Sequence, residues 1–151
     1  MFGRDYASHD FRVTFAMIVL CTAIMTYKAG LARVLAANNL LWWGFLSNAV
    51  WAIILIASAA ALIRHGAPGL AVSLVIAYSL NTVILLPLYR AKNLVPKGTL
   101  LSFESVLIWT ILVGLVLLNV ADVSMPLRAA VFLPGLLLAA VAFKRLLGNA
   151  A

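Results

Sequence analysis

Residues Trp42–Tyr89 read WWGFLSNAVWAIILIASAAALIRHGAPGLAVSLVIAYSLNTVILLPLY. The segment consists of two long apolar runs, which only the short basic break Arg64–Gly66 separates. Each run has the roughly 20 residues that an α-helix needs to cross a hydrocarbon core of about 30 Å. The segment therefore predicts a hairpin of two membrane-spanning helices.

Polar side chains interrupt both halves of this predicted hairpin. Tyr78, Asn81 and Thr82 share an arc of the second half. Hydrocarbon penalises such groups unless they face protein or water. Asn48, Trp51, Tyr78 and Asn81 are therefore predicted either to pack helix against helix or to form the wall of a substrate cavity. On the first half, at 100° per residue, one face carries the small and polar residues Gly44, Ser47, Asn48, Trp51 and Ser58.

The composition of the whole chain agrees with a membrane protein. The 151 residues are 66% hydrophobic and 10% charged, and the mean hydropathy is +1.13. Soluble domains are only about 45–50% apolar. The short loops leave no room for a separate soluble catalytic domain. The sequence therefore predicts an all-α, polytopic membrane bundle that forms a single transmembrane domain over residues 1–151.

Five spans are predicted within that domain. Asn38–Asn39 favours a tight turn after the first span, and residues 64–69 form a turn by composition. Pro87 is expected to bend the third span, and Pro134–Gly135 to break the fifth. Residues 1–10 lack the features of a removable signal peptide, so the first span is expected to be retained. The predicted spans are about 11–37, 40–63, 70–89, 100–121 and 126–147.

The charges predict the orientation of these spans. The net charge of +7 comes from eleven Lys and Arg residues against four Asp and Glu residues. The cations are placed at span ends and in loops, where they meet anionic headgroups, so no nucleic-acid partner is expected. Under the positive-inside rule the amino terminus is outside and the carboxy terminus is cytoplasmic. One side holds Arg4, Arg12, Arg64 and Arg128, and the other holds Lys28, Arg33, Arg90, Lys92, Lys97, Lys144 and Arg145.

The sequence offers no pattern of catalytic chemistry. It has no paired carboxylates on one helical face, no Ser/His/Asp set, no His and Cys cluster and no glycine-rich phosphate loop. We therefore expect no enzyme, no catalytic residue, no metal site and no cofactor. Glu104 in the first turn of the fourth span fits either the helix dipole or a coupling-ion site.

Lys28 and Arg33 are the most informative charged residues, because they fall within or near the end of a span. They have two interpretations. Both are anchors at the cytoplasmic side, or both line an inward-facing cavity and bind an anionic lipid phosphate, Lys28 as a point charge and Arg33 as a bidentate donor. The second interpretation predicts a substrate-binding pair.

Three quoted segments resemble a known family of membrane proteins. They are FGRDY at residues 2–6, GLARVLAANNLLWWGFLSNAVWAIILI at residues 30–56 and HGAPGLAVSLVIAYSLNTVILLPLY at residues 65–89. In this order and spacing they are similar to the carboxy-terminal part of bacterial polysaccharide and O-antigen flippases, which belong to the multidrug/oligosaccharidyl-lipid/polysaccharide exporter superfamily. The last two predicted spans add only hydrophobicity and position to the resemblance.

The resemblance implies a transport function in the biosynthesis of cell-surface polysaccharide and lipopolysaccharide. Members of the family resemble one another in moving undecaprenyl-diphosphate-linked sugars across the bacterial inner membrane by alternating access, without ATP. The resemblance also implies that this chain corresponds to part of a lobe, and that its partners are membrane lipids, a lipid-linked oligosaccharide and either further copies or a missing amino-terminal lobe. A hypothesis of another class is a non-transporting integral membrane interaction subunit, which docks the polar face of the hairpin on a partner.

Overall fold

The computed structural model describes residues 8–94, 102–121 and 123–148, and every regular element within those ranges is helical. The all-α class is therefore confirmed, and the helices lie close to the predicted spans. Their bounds are α1 His9–Ala37, α2 Leu41–Leu62, a 3₁₀ turn Ile63–His65, α3 Gly66–Ala91, α4 Phe103–Val120 and α5 Met125–Gly148.

Two helical stretches of the described residues are long and apolar enough to cross a membrane. One is His9–Ala37, and the other is Leu41–Ala91, which contains α2, the 3₁₀ turn and α3. The second stretch has 51 residues, more than twice the length of one crossing. Shorter apolar stretches occupy Ser105–Val120 and Pro126–Leu138. That the chain crosses the membrane five times remains a prediction.

The chain divides into two compact units, Met1–Val95 and Pro96–Ala151. In the second unit α4 packs on α5, where a Cβ atom added to Gly135 would lie 3.0 Å from Ile111 Cγ2. The predicted break at Pro134–Gly135 is wrong, since α5 continues through both residues. A proline removes its own backbone donor and its ring crowds the carbonyl four residues earlier, which a helix can tolerate when a neighbouring helix packs against it.

The first unit is an antiparallel hairpin with a third helix packed on it. Across α2 and α3, Ser47 donates a hydrogen bond to Asn81, the Trp51 ring packs against Tyr78, and Ser58 donates to the Ser73 carbonyl at 3.4 Å. The partner numbers fall as the α2 numbers rise, so the two helices run in opposite directions. α1 runs parallel to α3, with Lys28 beside Asn81. Further along both helices lies an apolar cluster of Leu31, Leu35, Leu85, Tyr89 and Leu94.

The reversal between α2 and α3 is tighter than the predicted turn over residues 64–69. It needs only the 3₁₀ turn and Gly66, which has φ 60° and ψ −136°, a conformation that side chains with a Cβ rarely adopt. Ala67, Pro68 and Gly69 already belong to the first turn of α3. Pro68 is tolerated there because the first backbone donors of a helix have no intrahelical acceptor.

The carboxyl ends of α1 and α3 share one capping geometry. Asn39 and Asn93 adopt positive φ values of 55° and 51°. The following leucines, Leu40 and Leu94, donate their backbone N–H groups to Leu35 and Tyr89 at 2.9 and 3.0 Å. These are the bonds of a Schellman motif, in which an apolar residue after the cap packs back on the helix. Both leucines indeed reach the apolar cluster.

We expect Asn39→Val to lower the free energy of unfolding by about 1–2 kcal/mol, because a β-branched residue is strained at positive φ. Asn39 is exposed, so little packing changes with the substitution. Asn39→Gly is the matched control and should leave the stability nearly unchanged. Denaturant unfolding in detergent micelles, followed by circular dichroism, measures both variants. If the two variants were equally stable, the positive φ of Asn39 would not contribute to the free energy of unfolding, and the prediction would be wrong.

The first unit combines an apolar outer surface with polar side chains buried between its helices. The largest fully buried side chains of the described residues are Asn81 and Ser73, both 0% exposed. This arrangement, with hydroxyl groups bonded to their own helix backbone as in Ser73 to Gly69 at 2.8 Å, is typical of helices surrounded by lipid. The outer surface instead exposes Phe15, Ile18, Leu41, Phe45, Ile53, Ile56, Leu80, Val83 and Ile84.

Candidate functional site

Asn81 is the centre of a polar contact that joins all three helices of the first unit. Its Nδ2 donates to the Ser47 carbonyl of α2 at 2.8 Å, and its Oδ1 accepts from Ser47 Oγ at 3.2 Å. The same Oδ1 accepts a hydrogen bond from Lys28 Nζ of α1. The amide is wholly buried and is therefore costly to place without partners, and these bonds supply them.

Lys28 is half-buried, and its ammonium group is held in place from two sides. Besides the bond to Asn81, Nζ lies 5.5 Å from the centroid of the Tyr78 ring, within the range of a cation–π interaction. An ammonium has three donors, so the bond to Asn81 leaves others free to bind a ligand. The lysine is thus oriented by α3 while still able to serve a third group.

A cavity of about 510 Å³ lies beside this lysine, between α1, α2 and α3. Its wall combines one cation with small and aromatic side chains. Four of the residues, Gly44, Ser47, Asn48 and Trp51, belong to the predicted polar face of α2. The described lining residues are Lys28, Ala29, Ala32, Leu35, Gly44, Ser47, Asn48, Trp51, Tyr78 and Tyr89.

Trp51 and Tyr78 form the aromatic part of the wall. Their ring centroids are 5.2 Å apart and their planes are tilted by 46°. The buried indole Nε1 of Trp51 has no hydrogen-bond acceptor among the described residues. A buried donor without an acceptor costs about 1–3 kcal/mol, so an acceptor atom placed near it would be stabilising.

The electrostatic environment of the cavity is set by one positive charge. Lys28 is the only charged residue among the described residues that line it. From Phe11 to Phe103 the sequence contains no Asp or Glu. The carboxylate of α1, Asp10, lies in its first turn, 18 residues or about 27 Å along the helix from Lys28. The cavity therefore presents an uncompensated ammonium group, which attracts an anion.

The predicted site residues separate into three groups. Asn48, Trp51 and Tyr78 lie on the cavity wall, whereas Asn81 holds the helices together and orients Lys28. Arg33 is exposed and is not among the described residues that line the cavity. Five residues after Lys28 it is turned about 140° around α1. Its role in binding stays a prediction.

The sequence alone did not identify two parts of the site. Ser47 was assigned to the polar face of α2, but its bond to Asn81 depends on the register of the hairpin. Tyr89 was read only as the end of a span, although it is buried and reaches both the cavity and the apolar cluster. The position of Tyr89 one turn after Leu85 is the signal that places it on that face.

Comparisons of the chain with protein families, with curated proteins and with solved structures gave no match. Among the described residues, no group of three or more His, Cys, Asp or Glu side chains is placed to hold a metal ion.

Proposed function

We propose that the chain is a membrane transport protein whose cavity beside Lys28 binds the anionic headgroup of a lipid-linked oligosaccharide. The position of Lys28 carries the proposal. Its ammonium group is oriented by Asn81 and Tyr78 at the wall of a cavity, and the sequence has no Asp or Glu from Phe11 to Phe103. A cation in an apolar bundle without an acidic partner is stabilised by an anion that enters the cavity.

The proposal also accounts for the prenyl tail and the sugar of the ligand. The exposed apolar side chains of α1, α2 and α3 suit a prenyl tail that stays in the bilayer while the headgroup occupies the cavity. The tilted Trp51–Tyr78 pair offers a face on which a sugar ring can lie. Movement of the headgroup then follows from one bundle rocking against another, as in other secondary transporters.

The finer topology belongs to this proposal. It includes five spans, a bacterial inner-membrane location, an outside amino terminus and a cytoplasmic carboxy terminus. The alternating directions of α1, α2 and α3 and the excess of Lys and Arg on one side support it. Three segments of the sequence resemble part of one flippase lobe. The proposal therefore includes that further copies of the chain, or a missing amino-terminal lobe, complete the transporter.

A non-transporting membrane interaction subunit is the second candidate, and the side chain of Asn48 favours it. Asn48 lies on an apolar helix, is exposed and would gain a partner if another membrane protein covered it. Asn48→Leu would weaken capture of that partner. It would lower headgroup binding far less than Lys28→Gln does, whereas Lys28→Gln would leave capture of the partner unchanged. The two variants together separate the two candidates.

Replacing Lys28 tests the transport proposal. We expect Lys28→Gln to lower the affinity for a farnesyl-linked disaccharide, joined through either phosphate or diphosphate, by at least about tenfold, because the only cation of the described cavity wall is removed. Native mass spectrometry of the purified full chain measures binding directly.

Arg33→Gln is the matched control, since it removes the same charge from the same helix but from a residue outside the described cavity wall. It should change the affinity less than about twofold. Equal affinities of the wild type and Lys28→Gln would contradict the proposal, and both residues would then be membrane anchors.

A further inference from the structure

We infer that Trp51 is a specificity-determining residue of the cavity, whose indole face binds the pyranose ring that is joined directly to the phosphate of the ligand. The inference rests on the proposed function, because it assigns the part of the same site that lies beside Lys28. It follows from the positions of two aromatic rings and one cation, and from the chemistry of a sugar ring.

The indole of Trp51 and the ammonium group of Lys28 contact the same aromatic side chain. The centroid of the Tyr78 ring lies 5.5 Å from Lys28 Nζ and 5.2 Å from the centroid of the Trp51 ring. All three residues line the cavity. A phosphate bound to the ammonium group therefore brings a directly attached sugar ring within reach of the indole.

The indole face suits a sugar because one face of a pyranose ring consists largely of C–H groups. These hydrogens carry a partial positive charge, and the face of an aromatic ring carries a partial negative one. Trp51 is half-buried and lines the cavity. Its plane is tilted by 46° from that of Tyr78, so the two rings do not cover each other as parallel rings would. The pair thus leaves aromatic surface on the cavity side.

The hairpin holds this aromatic surface in place before a ligand binds. About one turn along both helices, Asn81 Nδ2 donates to the Ser47 carbonyl at 2.8 Å, which fixes the register of α2 against α3. A ring held in this way loses little conformational freedom when a sugar packs on it. More of the contact energy therefore contributes to the affinity for the sugar.

The amide of Asn48 adds hydrogen-bonding groups to the same surface. Asn48 precedes Trp51 by three residues, so both lie on one face of α2, and both line the cavity. An amide offers donors and an acceptor, which match the hydroxyl groups of a sugar. These neutral bonds replace bonds to water and contribute less than the indole face does.

Two probes of equal charge test the inference. One is farnesyl-diphosphate-linked glucose, whose equatorial hydroxyl groups leave an uninterrupted C–H face. In the other, farnesyl methyl diphosphate, a methyl group replaces the glucose. Native mass spectrometry of the purified full chain in nanodiscs measures both affinities. We expect the glucose probe to bind about tenfold more tightly, because packing the sugar on the indole removes apolar surface from water.

The wild type alone already separates this inference from the proposed function. Equal affinities for the two probes would overturn the inference and leave an anion-binding site at Lys28 standing. If neither probe bound, both the inference and the proposed function would be overturned.

Trp51→Leu shows which side chain provides the preference for glucose. The ratio of the two affinities should fall below about twofold, whereas Trp51→Phe, which keeps an aromatic face, should retain a ratio of at least about threefold. Circular dichroism checks the folding of both variants. The ratio compares two ligands on one variant, so it does not respond to a uniform effect of the substitution on helix packing.

Trp42→Leu is the matched control, since it removes the same side chain from the same helix. Trp42 is 76% exposed and lies outside the described cavity wall. Its replacement should leave the ratio at about tenfold. A ratio that survives in Trp51→Leu, or that is lost equally in Trp42→Leu, overturns the assignment of the sugar to Trp51.

Discussion

The substitution Asn81→Asp is expected to lower the affinity for an anionic headgroup by about 100-fold or more while the helices remain folded. Aspartate has nearly the same shape as asparagine, and one of its carboxylate oxygens accepts from the same donors, Lys28 and Ser47. The other oxygen replaces Nδ2 and cannot donate to the Ser47 carbonyl, so we also expect a loss of stability of about 1–3 kcal/mol. The carboxylate also neutralises the ammonium group in place. Unit charges about 4 Å apart interact with roughly 4 kcal/mol at an effective dielectric constant of 20. This energy is larger than the binding free energy that a 100-fold change in affinity requires.

Ser47→Ala is the control for Asn81→Asp. It removes another hydrogen bond to the same Asn81 oxygen but leaves the charge of the cavity unchanged. We expect the affinity to change less than about threefold, with a loss of stability of about 1 kcal/mol. Binding is measured by native mass spectrometry and folding by circular dichroism. If Asn81→Asp is folded and binds as well as the wild type, the headgroup does not depend on the Lys28 charge.

Gly69→Ala is expected to have the largest effect on stability, a loss of about 3 kcal/mol in the free energy of unfolding. A Cβ atom at this position would lie 2.2 Å from the Leu62 carbonyl oxygen and 3.0 Å from His65 Cβ. The oxygen belongs to the backbone of the hairpin turn, so it cannot move aside as the end of a flexible side chain can. The two helices must separate locally, and such overpacking costs about 1–3 kcal/mol or more.

The matched control for this change is Gly30→Ala on α1. A Cβ atom there meets nothing within 4 Å, so the substitution should be neutral or stabilising by up to about 1 kcal/mol. Unfolding in detergent micelles, followed by circular dichroism, measures both variants. If Gly69→Ala were as stable as the wild type, the turn would tolerate a larger separation of α2 and α3, and the prediction would be wrong.

Much of the helical architecture could be predicted from local sequence. The lengths of the apolar runs placed all the helices of the described residues within a few residues of their observed bounds, and Asn38–Asn39 marked the first turn. The 100° periodicity of α2 also placed Asn48 and Trp51 on one face, and the structure puts both on the cavity wall. These features depend on spacing within one helix, which the sequence states directly.

The remaining features depend on how one helix meets another. The contact between Lys28 and Asn81 requires α1 to run parallel to α3 in one register, and no local pattern fixes that register. Pro134 was weighted too heavily as a helix breaker, because α5 continues through it. The bend expected at Pro87 stays a prediction, since α3 continues to Ala91. The angular separation of Lys28 and Arg33, about 140° on a helix, was available in the sequence and argues against treating them as one pair.

The most direct test of the account is a distance between Lys28 and the bound ligand. The chain contains four lysines, so replacing Lys92, Lys97 and Lys144 by arginine leaves Lys28 as the only ¹⁵Nζ lysine label. Solid-state NMR in lipid bilayers then measures its dipolar coupling to the ³¹P nucleus of a farnesyl-phosphate-linked disaccharide. A charge-assisted hydrogen bond predicts a ¹⁵N–³¹P distance of about 4 Å or less. Bound ligand with no coupling to Lys28 would contradict the account, because the headgroup would then lie outside this cavity.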